Sequence, residues 1–165
     1  MGMRIFAYRK DFLKRYESMR RKIILAAGKV DIHHVGSTSV KGLGGKGIVD
    51  ILIGVKNWNE AKVLVVKLRK IGFTHRDDTK RRIFLSGEQP TTIGDTHIHI
   101  VIRNSSQYRE FLGFRDYMRH SKKARNDYMR IKEVLLKETG ADREKYKLRK
   151  ARYVKKILRE MKAGG

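Results

Sequence analysis

The spacing of apolar residues predicts an α-helix near the start of the chain. Between Asp11 and Ala27, apolar side chains recur every three or four positions, which is the period of one helical face. Gly28 follows directly and is suited to end the helix. Residues 30–35 then suit a short strand, which Gly36 breaks.

Residues 48–55 form an almost continuous apolar run in which β-branched side chains are frequent. A run of that kind is typical of a strand buried on both faces of a sheet. Its one interruption is Asp50, so a carboxylate is expected near the start of a buried strand. A further helix is predicted to begin at a cap provided by Asn57 or Asn59 and to continue to about Ile71.

The rest of the chain changes from strand to helix. Strands are predicted at residues 72–75, 81–85 and 97–102, with a turn at 86–90. Helices are predicted at residues 106–119, 122–138 and 142–161. This order predicts an α+β fold, a mixed β-sheet flanked by helices with a basic helical C-terminal half. We expect one domain over residues 1–165, with the sheet-containing core in about 1–104 and the helical part in about 105–165.

The charge balance adds an expectation about partners. The chain has 40 Lys and Arg residues against 17 Asp and Glu residues, a formal net charge of +23. A charge of this sign and size predicts attraction to polyanions such as RNA, DNA or nucleotides. The alternative is the Lys/Arg-rich surface of a thermophile, although such surfaces usually balance Lys with Glu.

Three absences narrow the class of protein. No apolar run approaches the roughly 20 residues that a membrane span needs, and residues 1–6 lack the apolar core of a secretory signal. A cytoplasmic protein without a membrane partner is therefore expected. The chain has no cysteine, so any metal would be held by Asp, Glu, His and water. With phosphate chemistry, such donors favour Mg²⁺ or Mn²⁺ as the cofactor.

A glycine and a serine follow the first predicted strand, and a carboxylate opens the next. Gly36 would let the backbone approach a phosphate, while the Ser37 hydroxyl and nearby amides bond its oxygens. Asp50 would hold a divalent metal that bridges nucleotide phosphates. The layout is similar to that of the nucleotidyltransferase superfamily. A glycine-rich loop with a capping serine before a buried strand explains the same residues without any ligand.

A longer stretch of the chain resembles the GrpB family. The family pattern reads roughly His-Ile-Gly-Ser-Thr-Ser-Val-Pro-Gly-Leu and then Ala-Lys-Pro-Ile-Ile-Asp-Ile. The matching residues here are Gly36-Ser37-Thr38-Ser39-Val40, Gly42-Leu43, Lys46 and Ile48-Val49-Asp50-Ile51. The resemblance continues at Arg81-Arg82-Ile83-Phe84, Thr96-His97-Ile98-His99, the segment 111–119, Tyr128 with Lys132, and Tyr146 with Lys150 and Tyr153.

The resemblance covers nearly the whole chain in order and implies a nucleotidyltransferase-like fold. Some GrpB proteins are fused to dephospho-CoA kinase, but the family fixes the fold better than the reaction. Together with the residues themselves, the resemblance leads us to expect catalytic roles for Asp50, His97 and His99, and metal ligation by Asp50 and His99. The residues expected at the nucleotide or its phosphates are Gly36, Ser37, Thr38, Ser39, Lys46, Arg82, Arg115, Arg119, Lys132 and Lys150.

The chain also departs from the superfamily pattern. A second carboxylate is expected two residues after the first, on the same face of the strand, but Leu52 stands there. One carboxylate and a leucine make a poor site for two metals. Lys41 and Gly47 replace two prolines of the family loop, which is expected to loosen the loop and add a positive charge.

The histidines have two interpretations. His97 and His99 share one face of a predicted strand, so with Asp50 they could complete an Asp/His metal site. They could equally hydrogen-bond within a polar cleft or to the backbone. Of the neighbouring pair at residues 33 and 34, His34 matches the family position and is the better candidate for the cleft.

The basic residues of the C-terminal half also leave alternatives open. Arg115 and Arg119 lie four apart on a predicted helix and would either clamp a phosphate or tie the helix to the sheet through Asp116. Lys132 and Lys150 could converge on the cleft or be solvated. Other cations, among them Lys147, spread around the helices, which favours diffuse attraction to polyanions over sequence-specific recognition.

Three functional hypotheses follow. The first is an enzyme that transfers a nucleotidyl group from an NTP to an unknown acceptor, with a metal at Asp50. The second is a catalytically degenerate nucleotide- or RNA-binding protein on the same scaffold, which Leu52 and the net charge favour. The third is a structural accessory to another enzyme, which the kinase fusion in the family implies.

Overall fold

The structure is a computed structural model that describes residues 4–87 and 96–163. Within these ranges the chain forms five α-helices and one five-stranded sheet. The helices are α1 (Asp11–Ala27), α2 (Trp58–Lys70), α3 (Ser106–His120), α4 (Lys122–Glu138) and α5 (Arg143–Ala163). The strands are β1 (Asp31–Val35), β2 (Val49–Val55), β3 (Phe73–Thr79), β4 (Arg82–Gly87) and β5 (Thr96–Ile102). A single 3₁₀ turn, Ser37–Ser39, follows β1.

The sheet is mixed, as expected, with the strand order β1-β2-β5-β4-β3. Strands β2 and β5 run parallel, and the other neighbours pair antiparallel. The interior strand β2 is buried along its whole length except at Asp50, which is half-buried. Because the side chains of a strand alternate, Asp50 and Leu52 lie on one face of the sheet, and Ile51 and Ile53 on the other.

The two faces of the sheet have different cores. Helices α1 and α2 cover one face with a cluster that includes Met19, Ile23, Leu64 and Leu68 together with the isoleucines of β2 and β5. Helix α3 covers only part of the other face, where Tyr108 packs with Val35, Leu52 and Val101. The uncovered part of this second face holds the polar residues of β2, β4 and β5.

A third cluster joins the C-terminal helices to the loop that precedes β2. Val40 and Leu43 of this loop pack with Met118 of α3, Tyr128 of α4 and Ile157 of α5. The helical half is therefore attached to the sheet through the glycine-rich segment itself. Among the described residues, no helix is both long and apolar enough to cross a bilayer.

The sequence predicts most of these elements well. Helix α1 has the expected limits, Asn57 caps α2 by accepting from the Glu60 amide, and Asp142 accepts from the Lys145 amide at the start of α5. Strand β3 extends four residues beyond the prediction. Backbone pairing with β4 holds these exposed residues in the strand, and they lack the apolar alternation by which a strand is predicted from sequence. Ser86 and Gly87 belong to β4 rather than to a turn, and residues 88–90 lie outside the described residues.

Replacing Leu43 by Ala should destabilise the attachment of the loop to the helices. Leu43 is fully buried, so we expect the free energy of unfolding to fall by about 2–5 kcal/mol, the usual effect of a core Leu→Ala change. Leu148→Ala is the matched control, because Leu148 on α5 is 65% exposed, and it should change stability by less than about 0.5 kcal/mol. Urea unfolding followed by circular dichroism measures both; equal losses would contradict the packing described here.

Candidate functional site

The turn after β1 lies directly against the carboxylate of β2. Gly36 has φ of +71°, a conformation that L side chains rarely adopt. A Cβ at this position would stand 2.4 Å from Asp50 Oδ2, so any side chain larger than hydrogen would displace the carboxylate. The turn and Asp50 thus form one corner, with the backbone of Gly36 and Ser37 beside a negative charge.

Hydrogen bonds from within the loop hold this corner. Thr38 Oγ1 donates to the Ile48 carbonyl over 3.0 Å, which ties the turn to the residue before β2. Ser39 Oγ donates to the Gly36 carbonyl over 2.7 Å. Both hydroxyls are therefore engaged in shaping the turn.

Two arginines of α3 support the corner from behind. Arg119 donates twice to the Ser39 carbonyl, at 2.9 and 3.2 Å. Arg115 pairs with the neighbouring Asp116 at 2.7 Å and reaches the His34 carbonyl at 3.4 Å. These contacts favour the second of the two interpretations of the arginines, a network that ties α3 to the end of β1 rather than a phosphate clamp.

The glycine-rich loop before β2 is held at several points. Phe6 forms a two-way backbone bridge with Gly45, with N–O distances of 2.7 and 2.9 Å. Arg15 of α1 donates to the Gly47 carbonyl over 2.8 Å, and Lys132 of α4 donates to the Gly44 carbonyl. The loosening expected from the lost prolines is thus countered by contacts from three distant segments.

Asp50 faces the two histidines of β5 across the parallel pair β2–β5. Its Oδ1 lies 3.2 Å from His99 Nε2 and 3.4 Å from His97 Nδ1. Burial would raise the pKa of Asp50, but its hydrogen bonds with His97 and His99 outweigh that effect and hold the pKa of Asp50 well below its usual range. Burial lowers the pKa of His99 despite the neighbouring carboxylate, which favours its neutral, metal-binding form.

The aromatic neighbours fix the orientation of His99. Phe84 of β4 stacks on its ring at 5.4 Å between centroids, and Phe111 of α3 lies at 4.9 Å on a tilted plane. Among the described residues, His99 Nδ1 has no hydrogen-bond partner. Its ring is therefore held by packing on one side and by Asp50 on the other.

The three side chains fit a single cation. One ligand atom from each of Asp50, His97 and His99 lies within 4.8 Å of the other two, and no other such group occurs within residues 4–87 and 96–163. The Asp50 side chain is 25% exposed, so an ion can reach it from the cleft. These residues fit one divalent metal and offer only one carboxylate to it.

The place of the second carboxylate is occupied by the core. Leu52 is fully buried and packs with Val35, Val101 and Tyr108 beneath α3. It pairs in register with His99 on β5, so it lies on the same side of the sheet as Asp50 and the two histidines, but under the helix. The departure noted in the sequence is thus built into the packing of α3 on the sheet.

A cleft of about 870 Å³ opens above this corner. It runs over the end of β1, Asp50 of β2, the histidines of β5, and β4 and β3, following the order of the strands. The predicted site residues that line it are Gly36, Ser37, Thr38, Lys46, Asp50, Arg82, His97, His99 and Lys150. The predicted residues that do not line it are Ser39, Arg115, Arg119 and Lys132, which support the corner instead.

The end of the cleft beside the corner is basic. Lys46 of the loop meets Arg143, Lys147 and Lys150, which lie on the face of α5 that lines the cleft. Burial, and then the charges of Lys150, Arg143 and Lys147, lowers the pKa of Lys46 to about 8. Its ammonium lies over the Tyr146 ring at 4.8 Å. Four cations on one wall of a cleft produce a positive potential that attracts anions.

Lys132 is a buried cation beneath the same corner. It is 2% exposed, donates to the Gly44 carbonyl and Ser37 Oγ (3.4 Å), and lies 4.7 Å from the centre of the Tyr128 ring. Burial, with a smaller effect from the charge of Lys150, lowers its pKa to about 7. Lys132 thus links the loop, the turn and α4 at one point.

The opposite end of the cleft mixes charges with aromatic rings. It is lined by Arg76 and Asp77 of β3, Arg82 and Phe84 of β4, and Gln107, Glu110 and Phe111 of α3. Of these, only Arg82 is predicted from the sequence. The three α3 residues recur at helical spacing and could have been proposed as one face, but nothing in the sequence says that this face meets β4.

The two adjacent histidines of β1 separate onto different faces. His34 does not line the cleft; it stacks on Tyr16 of α1 at 4.5 Å between centroids and contacts Thr38 Oγ1 at 3.0 Å. Burial lowers its pKa to about 4. His33 contacts Asp31 at 2.7 Å and Tyr108 at 3.0 Å. His34 therefore supports the corner from the α1 side, outside the cleft for which the sequence favours it.

Comparison with known proteins shows which family this sequence matches. The model of the GrpB protein family matches residues 2–160. A UPF0157 protein of Halalkalibacterium halodurans is 31% identical over 151 residues, which cover 89% of this chain and 75% of the relative. A glutamate-rich protein GrpB of Alkalihalophilus pseudofirmus is 29% identical over 136 residues, covering 79% of this chain and 78% of the relative.

Solved structures confirm the fold. The crystal structure of the conserved protein GrpB from Enterococcus faecalis superposes with a TM-score of 0.83 at 24% identity, covering 96% of each chain. The Cid1 poly(U) polymerase gives a TM-score of 0.56 at 13% identity over 81% of this chain and 43% of its own. The GLD-2/RNP-8 complex gives 0.58 at 13% identity over 86% and 57%. The expected nucleotidyltransferase-like fold is therefore confirmed.

Comparison of the wild type with Lys132→Met should show how the protonation of Lys132 makes the free energy of unfolding depend on pH. Between a folded pKa of about 7 and the ordinary value of 10.5, the unfolded chain holds a proton on Lys132 that the folded chain has lost. Stability of the wild type relative to the variant should therefore rise with pH above 7, by about 1 kcal/mol per pH unit.

Urea unfolding at several pH values from 6.5 to 9 measures this difference. Lys46 titrates in both proteins, so its contribution cancels. Lys156→Met, at an exposed lysine of α5, is the control and should give a difference that does not change with pH. A flat difference for Lys132→Met would show that Lys132 keeps its charge in the folded protein.

Proposed function

Because the chain belongs to the GrpB protein family and has a nucleotidyltransferase-like fold, we propose that it transfers a nucleotidyl group from an NTP to an acceptor, with pyrophosphate as the leaving group and with the help of a divalent metal. The observation that carries this proposal is the contact between the turn and the carboxylate. Gly36 lies so close to Asp50 that a Cβ would stand 2.4 Å from its oxygen. A phosphate bound at the backbone of Gly36 and Ser37 would therefore also reach whatever cation Asp50 holds.

The basic end of the cleft supports the phosphate tail in this proposal. A triphosphate at the corner would extend along Lys46, Lys147 and Lys150, and its charge would relieve their mutual repulsion. Lys132 would act from beneath, by holding the Ser37 hydroxyl and the Gly44 carbonyl in place. The roles proposed for Arg115, Arg119 and Ser39 are accordingly to support the loop.

The centre of the cleft would hold the cation at Asp50, His97 and His99. When bound, a divalent cation neutralises phosphate charge and helps to activate the attacking group. The acceptor would enter from the opposite end, where Arg82, Glu110 and Phe84 offer charge of both signs and an aromatic surface. This end lies over β4 and β3, on the far side of the histidines from the basic end, and this separation supports the placement of the acceptor there.

The alternative function is nucleotide or RNA binding without catalysis. Leu52 favours it, since the site offers a single carboxylate where a pair is expected in the superfamily. The net charge of +23 also favours a polyanionic partner. Among the structural neighbours, Cid1 is a poly(U) polymerase. The two functions differ in whether nucleotide binding depends on the metal.

Titration calorimetry with ATP, GTP, CTP and UTP, each with and without Mg²⁺ or Mn²⁺, tests the proposal. At least one nucleotide should bind in a metal-dependent way, and Asp50→Asn should weaken that binding by at least about ten-fold, because it removes the one carboxylate of the site. Asp127→Asn, at an exposed carboxylate of α4, is the matched control and should leave binding unchanged. No affinity for any nucleotide with either metal would rule out the transferase.

Lys147→Ala and Lys150→Ala should each weaken nucleotide binding about ten-fold, because each removes a charge-assisted contact to phosphate. Lys156→Ala is the control on the same helix, since Lys156 is exposed and does not line the cleft. The same titrations measure all three. Equal effects of the three changes would indicate diffuse charge attraction rather than a phosphate site.

RNA binding tests the alternative. Tight association with single-stranded RNA that needs no metal and falls steeply with salt would favour the second function. If Asp50→Asn leaves that association unchanged while nucleotides fail to bind, the corner is not the ligand site. Fluorescence anisotropy at several salt concentrations measures the slope.

A further inference from the structure

The metal-binding group in the cleft has an unusual donor set for a fold that acts on phosphates. Two of its three ligand atoms are imidazole nitrogens, Nδ1 of His97 and Nε2 of His99, and only Asp50 contributes oxygen. Mg²⁺ prefers oxygen ligands and is usually held by one or two carboxylates, water and phosphate oxygens. Imidazole suits later first-row ions such as Fe²⁺, Ni²⁺, Cu²⁺ and Zn²⁺, and the affinity of such a site rises from Mn²⁺ through Co²⁺ to Cu²⁺.

We infer that Asp50, His97 and His99 form a site for one transition-metal ion of the Mn²⁺-to-Zn²⁺ class, in place of a pair of Mg²⁺ ions. The inference deepens the proposed function, because the ion would lie where the phosphates of a nucleotide reach the corner. It concerns the identity and number of the ions, which the proposed function leaves open.

The distances between the ligand atoms support a single shared ion. Asp50 Oδ1 lies 3.2 Å from His99 Nε2 and 3.4 Å from His97 Nδ1. Ligands on one tetrahedral or octahedral ion, at bond lengths near 2.1 Å, stand about 3.0–3.4 Å apart. The same Asp50 oxygen therefore meets the spacing to both nitrogens without a change in the backbone.

The surroundings of the group keep the histidines available as ligands. The ring of His99 contacts both Phe84 and Phe111, so aromatic packing holds its orientation. His97 packs edge-on against Phe84 at 5.0 Å between centroids. Both nitrogens that face Asp50 are thus presented by rings whose opposite sides rest on aromatic packing.

The position of Leu52 argues against a second ion. A two-metal site needs a carboxylate that bridges both ions, and the position two residues after Asp50 is filled by a fully buried leucine under α3. The other carboxylates that line the cleft are Asp77, Glu110 and Glu144. None of them joins the metal-binding group among the described residues. Asp77 stands two strands away from His99, at roughly 10 Å by the spacing of strands.

Metal binding to the chelator-treated full chain, without nucleotide, tests the inference. Equilibrium dialysis with Mn²⁺, Co²⁺, Zn²⁺ and Mg²⁺ should give one bound transition ion per chain, at least about ten-fold tighter than Mg²⁺. Bound Co²⁺ should also show the visible absorption of an ion with nitrogen ligands. Asp50→Asn, His97→Gln and His99→Gln should each weaken the binding of Co²⁺ by at least about 100-fold, because each removes one of three ligands.

His120→Gln is the matched control, because His120 is exposed at the end of α3 and its Nδ1 donates to the carbonyl of Asp116. It should leave Co²⁺ binding unchanged. Circular dichroism checks that each variant is folded, and the three ligand variants are independent of one another. Equal affinity for Mg²⁺ and Mn²⁺, two bound ions per chain, or Co²⁺ binding that survives all three ligand changes would overturn the inference.

The outcome for the metal is separate from the outcome for the nucleotide. Tight Co²⁺ binding that depends on the three residues, together with no affinity for nucleotides, would uphold the metal site and reject the proposed transfer. Nucleotide binding that needs Mg²⁺ and is unchanged by His97→Gln and His99→Gln would uphold the proposed transfer and reject the transition-metal site. If none of the four ions binds, with or without ATP, the metal site is rejected.

Discussion

The close approach of Gly36 to Asp50 is the constraint on which the rest of the site depends. It requires a residue without a side chain at the end of β1, in a conformation that glycine adopts readily. It also requires that Asp50 point toward the turn, which the pairing of β2 with β5 secures by placing His97 and His99 beside its carboxylate. The backbone amides that suit a phosphate and the ligands that suit a cation are thus brought together by one strand register. A shift of one residue in that register would turn Asp50 into the apolar core.

The helical half of the chain completes this corner and is more than a basic surface. Arg119 of α3 and Lys132 of α4 bond carbonyls of the turn and the loop, while the cleft-facing side of α5 brings Arg143, Lys147 and Lys150 to the basic end of the cleft. The fold therefore places several of the cations beside the corner. The repulsion between Lys46 and its three cationic neighbours is reduced because the cleft is open to solvent and to anions. Lys147, which the sequence groups with the diffuse surface charges, is exposed and lines the cleft.

The sequence predicts the elements of this fold and the centre of the site, because both depend on local patterns. The apolar run with one carboxylate identifies β2, and the alternation in Thr96–Ile102 places His97 and His99 on one face. The cap of α2 and the ends of α1 follow from single residues. What the sequence cannot give is which helix faces meet the sheet. Arg115 and Arg119 have the spacing of a phosphate clamp, yet they turn to backbone carbonyls. Gln107, Glu110 and Phe111 line the cleft only because α3 packs on β1, β2 and β5. Contacts between residues some eighty positions apart leave no trace in the local pattern.

Leu52 connects the packing of the fold to its chemistry. A carboxylate at that position would have to lie among Val35, Val101 and Tyr108, beneath α3, where burial without a partner opposes charge. The same helix that closes off this place presents Phe111 to the ring of His99 and so helps to orient a nitrogen ligand. The packing of α3 on the sheet therefore has two consequences: it leaves no room for a second carboxylate at position 52, and it holds the ring of His99 in a fixed orientation. A site of this kind would hold its ion more through nitrogen and less through negative charge, so that the phosphates of a ligand, rather than the protein, would supply much of the charge that balances the cation.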